Sequence, residues 1–201
     1  MADQYLELIK QRRTYYALER KSPISDESIE VIVQTVLINT PSCFNCQSTR
    51  LVILFKDDHE RFWAICKDIF KANLSPAEYA DYEIKLNERQ SGYGTVLLFE
   101  DYEAMHRIQL AVPRFAGHTG QFLEHNNAMQ AFNIWTALEL EGLGCNLQHV
   151  NPFVDQRVYA EWDVPTSWSL KAQLVFGSPT GDPNPNKEVV PIQNRLRVHG
   201  K

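Results

Sequence analysis

The stretch INTPSCFNCQSTRLVILF, residues 38–55, decides how the chain is read, because it passes from helix to strand through a short polar loop. Upstream of it, SDESIEVIVQTVLINT offers Ser25 or Asp26 as an N-cap and acids in the first turn. Ile29, Ile32, Val33, Val36 and Leu37 then share one face, so an amphipathic helix is expected to end near Asn39. Pro41 stops it. Downstream, RLVILF (50–55) is a compact apolar run suited to a buried strand. Between the two, Pro41, Ser42, Asn45 and Gln47 make a turn-forming loop of small donors and acceptors that also carries Cys43 and Cys46.

A redox dithiol of the Cys-x-x-Cys kind sits where a strand runs into a helix, whose N-terminal dipole lowers the first thiol's pKa. Here the order is reversed, and no helix N-terminus is at hand to hold a thiolate. Zinc calls for four ligands, usually as two close pairs. Cys66 and Cys145 stand alone, and no two of His59, His106, His118, His125, His149 and His199 lie three to five residues apart. Two thiolates suffice for Cu(I), which keeps a metal-responsive role for Cys43 and Cys46 as an alternative. Otherwise the loop is either plain connection or a set of polar groups around a ligand.

Working outward, Asp3–Arg12 reads as a short helix delivering RRTYY (12–16). DDHERFWAICKDIFK is a second amphipathic helix, and Ser75-Pro76 opens a third. TVLLFED (95–101) is a buried strand, followed by a stretch, MHRIQLAVPRFAGHTG, expected to be irregular and mobile. Residues 121–141 form a long helix of roughly 30 Å, ended by Gly142 and Gly144. CNLQHV is a short strand or extended loop, VDQRVYAEW a small helix, and SLKAQLVFG (169–177) the last strand. The tail, rich in Pro and Asn, is an extended arm carrying Arg195 and Arg197. Three or four strands among five or six helices give an α+β class in one domain spanning residues 1–201.

Composition bounds the function. The 201 residues are 44% apolar and 22% charged, ordinary for a globular chain, and the net charge of −5 gives no global basic field for nucleic acid. No apolar run reaches the roughly 18 residues of a membrane span. The opening MADQYLELIKQRR reverses the charge order of a secretory signal, so a cytoplasmic protein with reduced thiols is expected. A small-molecule partner is favoured over nucleic acid or membrane.

RRTYY (12–16), PSCFNCQS (41–48), the long helix running into GLGCNLQH (142–149) and a C-terminal RLR occur in an order and spacing that resembles the nitroreductase family of flavoproteins. RRTYYAL and GLGCNLQHVNP are similar to the subgroup of fungal fatty-acid-repression and bacterial copper-induced nitroreductases. The likeness implies a nitroreductase fold, with a central, mostly antiparallel sheet flanked by helices and completed as a homodimer.

It also implies FMN at the dimer interface, reduced by NADH or NADPH, with a nitroaromatic or quinone acceptor served from the same flavin face by a ping-pong cycle. Arg12, Arg13, Arg195 and Arg197 would then hold the phosphate by bidentate hydrogen bonds, with Thr14 adding a hydroxyl and an N–H. Ser42, Asn45 and Gln47, in the loop that includes Pro41 and Cys43, would meet the ribityl chain and ring edges of the flavin bound mainly to the other subunit. Leu147, Gln148 and His149 would lie along the flavin with a main-chain amide near N5, which leaves catalysis to the cofactor rather than to a side chain. Tyr16 departs from the family, many of whose members carry Arg or Lys there. That departure keeps a flavin-binding stress or regulatory protein with little turnover as an alternative. Phe44, Tyr93, Phe115 and Phe122 are candidates for the acceptor pocket.

Overall fold

The computed structural model describes residues 2–201. In chain order the elements are α1 (Ala2–Gln11), β1 (Leu18–Glu19), α2 (Asp26–Asn39), β2 (Thr49–Phe55), α3 (Lys56–Asn73), α4 (Pro76–Gln90), β3 (Gly94–Asp101), α5 (Tyr102–Ala111), α6 (Thr119–Leu140), β4 (Gly144–Gln148), α7 (Asp155–Glu161) and β5 (Trp168–Pro179). Seven helices and five strands among the described residues exceed the expected numbers.

The sheet is antiparallel throughout its named pairings. β5 is its axis, pairing with β3 along one side and with β4 and then β1 along the other, while β2 closes against β3 and leaves its outer edge open. Every residue of β3 is buried, because the pleat sends alternate side chains into two cores. Leu97 and Phe99 join Phe62, Trp63 and Cys66 of α3, Leu86 of α4 and Val158 of α7. Val96 and Leu98 join Ile29 and Val33 of α2 and Ala131, Ile134 and Leu138 of α6. The result is a three-layer α/β/α arrangement of the α+β class, with α6 lying across one face.

Local chemistry explains the boundaries. Ser25 caps α2 by accepting the Ser28 N–H, and Ser75 with Glu78 forms a reciprocal capping box ahead of Pro76 in α4. The long helix ends at Gly142, whose φ of 84° suits glycine, with the Leu143 N–H reaching back to the Leu138 carbonyl. One expectation is corrected. The stretch after β3 is not irregular: Asp101 accepts the Glu103 N–H and starts α5, which runs to Ala111, and a 3-10 turn follows over Pro113–His118. Asp101 thus serves as the end of a strand and the cap of a helix at once.

Beyond β5 the tail has only a 3-10 turn at Ile192–Asn194 and is exposed from Asn184 onward. No helix of the described residues is long and apolar enough to cross a membrane.

Candidate flavin-binding site

The basic turn is built first by its neighbours. Thr14 bridges to Cys145 on β4, and the Tyr15 N–H donates to the Cys145 carbonyl at 2.9 Å. Gly144 makes this close approach possible, since a Cβ there would fall 2.9 Å from the Tyr15 Cβ. On the other side, the Arg13 N–H donates to the Glu139 carboxylate at 2.9 Å. The Arg12 guanidinium lies 4.5 Å from the centre of the Trp135 ring, which leaves its N–H edges free of side-chain partners among the described residues.

Arg12, Arg13, Thr14 and Tyr16 line one cavity of about 250 Å³, and the tail closes it with Asn184 and Lys187. The Arg13 side chain donates to the Asn184 carbonyl. Three cations and a hydroxyl around so small a space suit a phosphate group. The cavity falls below the ~300–1,000 Å³ of a complete small-molecule site, so the rest of an FMN needs other walls. Arg195 and Arg197, expected at the phosphate, do not line this cavity and lie in the exposed tail. Lys187 and Asn184 stand there instead, and sequence reasoning passed over both because the tail reads only as an arm.

The cysteine loop is held from α6. The Asn126 side-chain oxygen accepts the Cys43 N–H at 2.9 Å, and its NH2 donates to Cys46 Sγ at 3.2 Å and Ser48 Oγ at 3.1 Å. Ser48 donates in turn to the buried Glu100 carboxylate, which also accepts from Thr49 at 2.7 Å and from Asn127 at 3.2 Å. Burial pushes the Glu100 carboxyl up, against those hydrogen bonds and the charge of Lys171. The Ser42 hydroxyl accepts the Gln47 N–H at 2.9 Å and closes the loop on itself.

Phe44, Asn45 and Gln47 adopt left-handed φ near 50°, of order 1 kcal/mol each in backbone strain for residues with a Cβ. That strain presents Phe44 outward at 48% exposure, with Phe115 and Phe122 at ring distances of 5.8 and 6.1 Å. Pro41, Asn45 and Gln47 are exposed beside it, and Ser42 and Cys43 are half-buried. Tyr93 is not part of this aromatic group. It packs on Phe55 and Phe176 and donates its hydroxyl to Asp26.

All four cysteines are free thiols. Burial pushes the Cys43 thiol up, and its neighbour Cys46 adds to the effect, so Cys43 is not poised as a thiolate. Burial likewise raises the thiols of Cys66 and Cys145. Among the described residues no three His, Cys, Asp or Glu side chains gather as a metal site.

Leu147 and Gln148 end β4 half-buried, with the Gln148 amide donating to Asn146 at 2.8 Å, and His149 is exposed. Cys145 of the same strand pairs with the basic turn, so β4 runs from that turn toward His149. The anchors of the loop and the turn, Asn126 and Glu139, are 13 residues apart on α6, or ~20 Å along its axis.

The model of the nitroreductase family matches residues 9–178. The chain belongs to the nitroreductase family. It is therefore an oxidoreductase by family, and the motif-based likeness and the α+β nitroreductase fold are borne out. The Saccharomyces cerevisiae nitroreductase FRM2 is 34% identical over 197 residues, covering 97% of this chain and 96% of that relative. Among solved structures, the nitroreductase CinD of Lactococcus lactis in complex with chloramphenicol superposes with a TM-score of 0.89 at 32% identity, covering 98% of this chain and all of CinD. CinD has also been solved with 4-nitrophenol. A protein from Desulfovibrio desulfuricans in complex with FMN shares the fold alone, with a TM-score of 0.70 at 18% identity, over 98% of this chain and 96% of its own.

Proposed function

We propose that this protein is a homodimeric, FMN-dependent oxidoreductase that takes electrons from NADH or NADPH and reduces nitroaromatic or quinone-type acceptors by a ping-pong cycle. The observation that carries the proposal is the small cavity of Arg12, Arg13, Thr14 and Lys187, whose charge and size suit a phosphate dianion. The complexes of CinD with nitro compounds support the acceptor class, and the FMN bound by a protein of the same fold supports the cofactor.

FMN bound there would supply the acceptance and release of hydride. The chain's own groups bind and orient. Arg12, Arg13 and Lys187 fix the phosphate, while Thr14 adds its hydroxyl. The main chain of Leu147, Gln148 and His149 would lie along the ring. Ser42, Asn45 and Gln47, with Pro41 and Cys43 shaping their loop, would hold the ribityl chain and ring edges. By the family likeness, the loop of one subunit would meet the flavin held by the turn of the other. Phe44, with Phe115 and Phe122, walls the acceptor side.

Two surfaces support the dimer. Leu51, Ile53 and Phe55 on the open edge strand line a groove of about 330 Å³ with Val33 and Leu37, rimmed by Glu30 and Gln34. The tail presents Val189, Val190, Ile192, Leu196 and Val198, each more than half exposed. An unpaired edge and an unpaired apolar arm are each costly alone and complementary across two copies. The arm would carry Arg195 and Arg197 with it toward the flavin phosphate. We read residues 1–201 as one domain in the cytoplasm, where four free thiols remain reduced.

The test is the absorbance spectrum of the purified protein, with the released chromophore identified by mass. A yellow protein with about one FMN per chain is expected, and a colourless protein that takes up no added FMN sinks the reading. Tyr16, an aromatic where a cation would steady the reduced ring, favours the alternative of a flavin-binding stress or regulatory protein. Steady-state oxidation of NADH or NADPH with a quinone separates the two, since only an enzyme turns over.

A further inference from the structure

The carboxylate of Glu139 stands behind a turn whose purpose, in the reading above, is to attract an anion. Charge alone would count it as a defect. Its two oxygens are both in use: one accepts the Arg13 N–H at 2.9 Å, and the other accepts the Trp135 indole N–H at 2.6 Å. Trp135 is the surface on which the Arg12 guanidinium rests. One carboxylate therefore fixes the backbone of one arginine and the platform of the other. Arg12, Arg13 and Lys187 supply the positive charge of the subsite, while burial pushes the Glu139 carboxyl up, against the Arg13 N–H, the Trp135 indole and the charges of Arg12 and Arg13, which hold it down.

We propose that Glu139, acting through Arg13 and Trp135, is the positioning residue of the phosphate subsite and confers the preference for a phosphorylated flavin over its unphosphorylated form. The proposal rests on the FMN reading and goes beyond it, since it concerns the discrimination between two ligands that share the same ring. Glu139 does not line the phosphate cavity itself. Without it the Arg13 N–H and the indole N–H lose their acceptor, and two rotamer-rich guanidinium groups are free to leave the geometry that a bidentate pair requires.

The experiment measures dissociation constants of FMN and riboflavin, by flavin fluorescence, for the full-length protein and for Glu139→Gln and Trp135→Phe. Gln keeps one acceptor oxygen and turns an NH2 toward an N–H donor, so FMN affinity is expected to fall ~10-fold while riboflavin affinity stays within about 2-fold. Phe keeps the aromatic face under Arg12 and frees only one Glu139 oxygen, so a loss of roughly 3-fold confined to FMN is expected. Tighter FMN binding by Glu139→Gln would show that the carboxylate acts only as an opposing charge and would overturn the proposal. Equal losses for both flavins, or no loss in either variant, would also overturn it. If Glu139→Gln fails to fold, the FMN-to-riboflavin ratio of Trp135→Phe decides alone. A wild-type protein that binds neither flavin brings down the FMN reading itself, a result separate from a variant that loses the ratio.

Discussion

The side-chain oxygen of Asn126 accepts the Cys43 backbone N–H at 2.9 Å, so the start of the cysteine loop is fixed from the middle of the longest helix. The same carboxamide donates to Cys46 and Ser48, and the Asn126 side chain is buried. Asn126→Ala should cost about 3 kcal/mol, because three hydrogen bonds go and the Cys43 N–H loses its acceptor. Urea unfolding measures the loss, and hydrogen exchange should show it concentrated at residues 43–48. A change below about 0.5 kcal/mol would show that the loop holds itself.

Burial sets a pH limit on stability through His59. The ring is fully buried, with Nδ1 at 2.8 Å from the Thr95 hydroxyl and Nε2 at 3.2 Å from the Gln90 carbonyl, and burial lowers its pKa to about 4. The unfolded chain titrates near 6.5. Between those values the unfolded state holds a proton that the native state refuses, so stability falls as pH drops from about 6.5 to 4, by up to about 3 kcal/mol. Denaturant midpoints across that window should fall with acid in the wild type, and by less in His59→Gln. Identical slopes in the two proteins would remove His59 as the source.

The thiols should be slow. Cys66 and Cys145 have no exposed surface, and burial raises both, while Cys43 is half-buried and raised as well. Titration of the native protein with an aromatic disulfide reagent at neutral pH should label Cys43 slowly and Cys66 and Cys145 only after denaturation. The Cys43→Ser/Cys46→Ser variant, which keeps small polar groups beside Asn126, should retain its flavin and activity. Loss of both in that variant would restore the soft-metal or thiol reading of the loop.

What the sequence made legible follows the range of the interaction. The cap at Ser25, the Ser75-Pro76 start and the Gly142 stop act within four or five residues, and each stood as expected. β1, two residues long, is too short to show a period, and α5 was hidden because Asp101 serves two elements. Arg12, Arg13, Thr14 and Tyr16 were legible as a cluster because they are adjacent in the chain. Glu139 was not, since its partner Arg13 lies 126 positions away, and Asn126 meets Cys43 across 83. Tyr93 stands apart from the other aromatics because it lies in the bend before β3 and meets Phe55 and Phe176, 38 and 83 positions away, contacts that no local pattern shows.

Tyr16 provides the last prediction, because Arg89 of α4 lies 5.2 Å over its ring. That guanidinium is held by the Lys85 carbonyl at 2.8 Å and the Glu88 carboxylate at 2.9 Å, with 11% of its side chain exposed. The position where a cation was expected is thus an aromatic plate with a cation behind it. Tyr16→Phe keeps the plate and should change neither stability nor flavin potential. Tyr16→Lys places a second positive charge beside Arg89, costing about 1 kcal/mol at such a separation near the surface. It should also raise the flavin potential, since negative charge on the reduced ring then meets a cation directly. Arg89→Gln added to Tyr16→Lys should restore stability and keep the raised potential. Spectroelectrochemical titration with thermal unfolding measures both, and a potential unmoved by Tyr16→Lys would place the ring's charged edge away from residue 16.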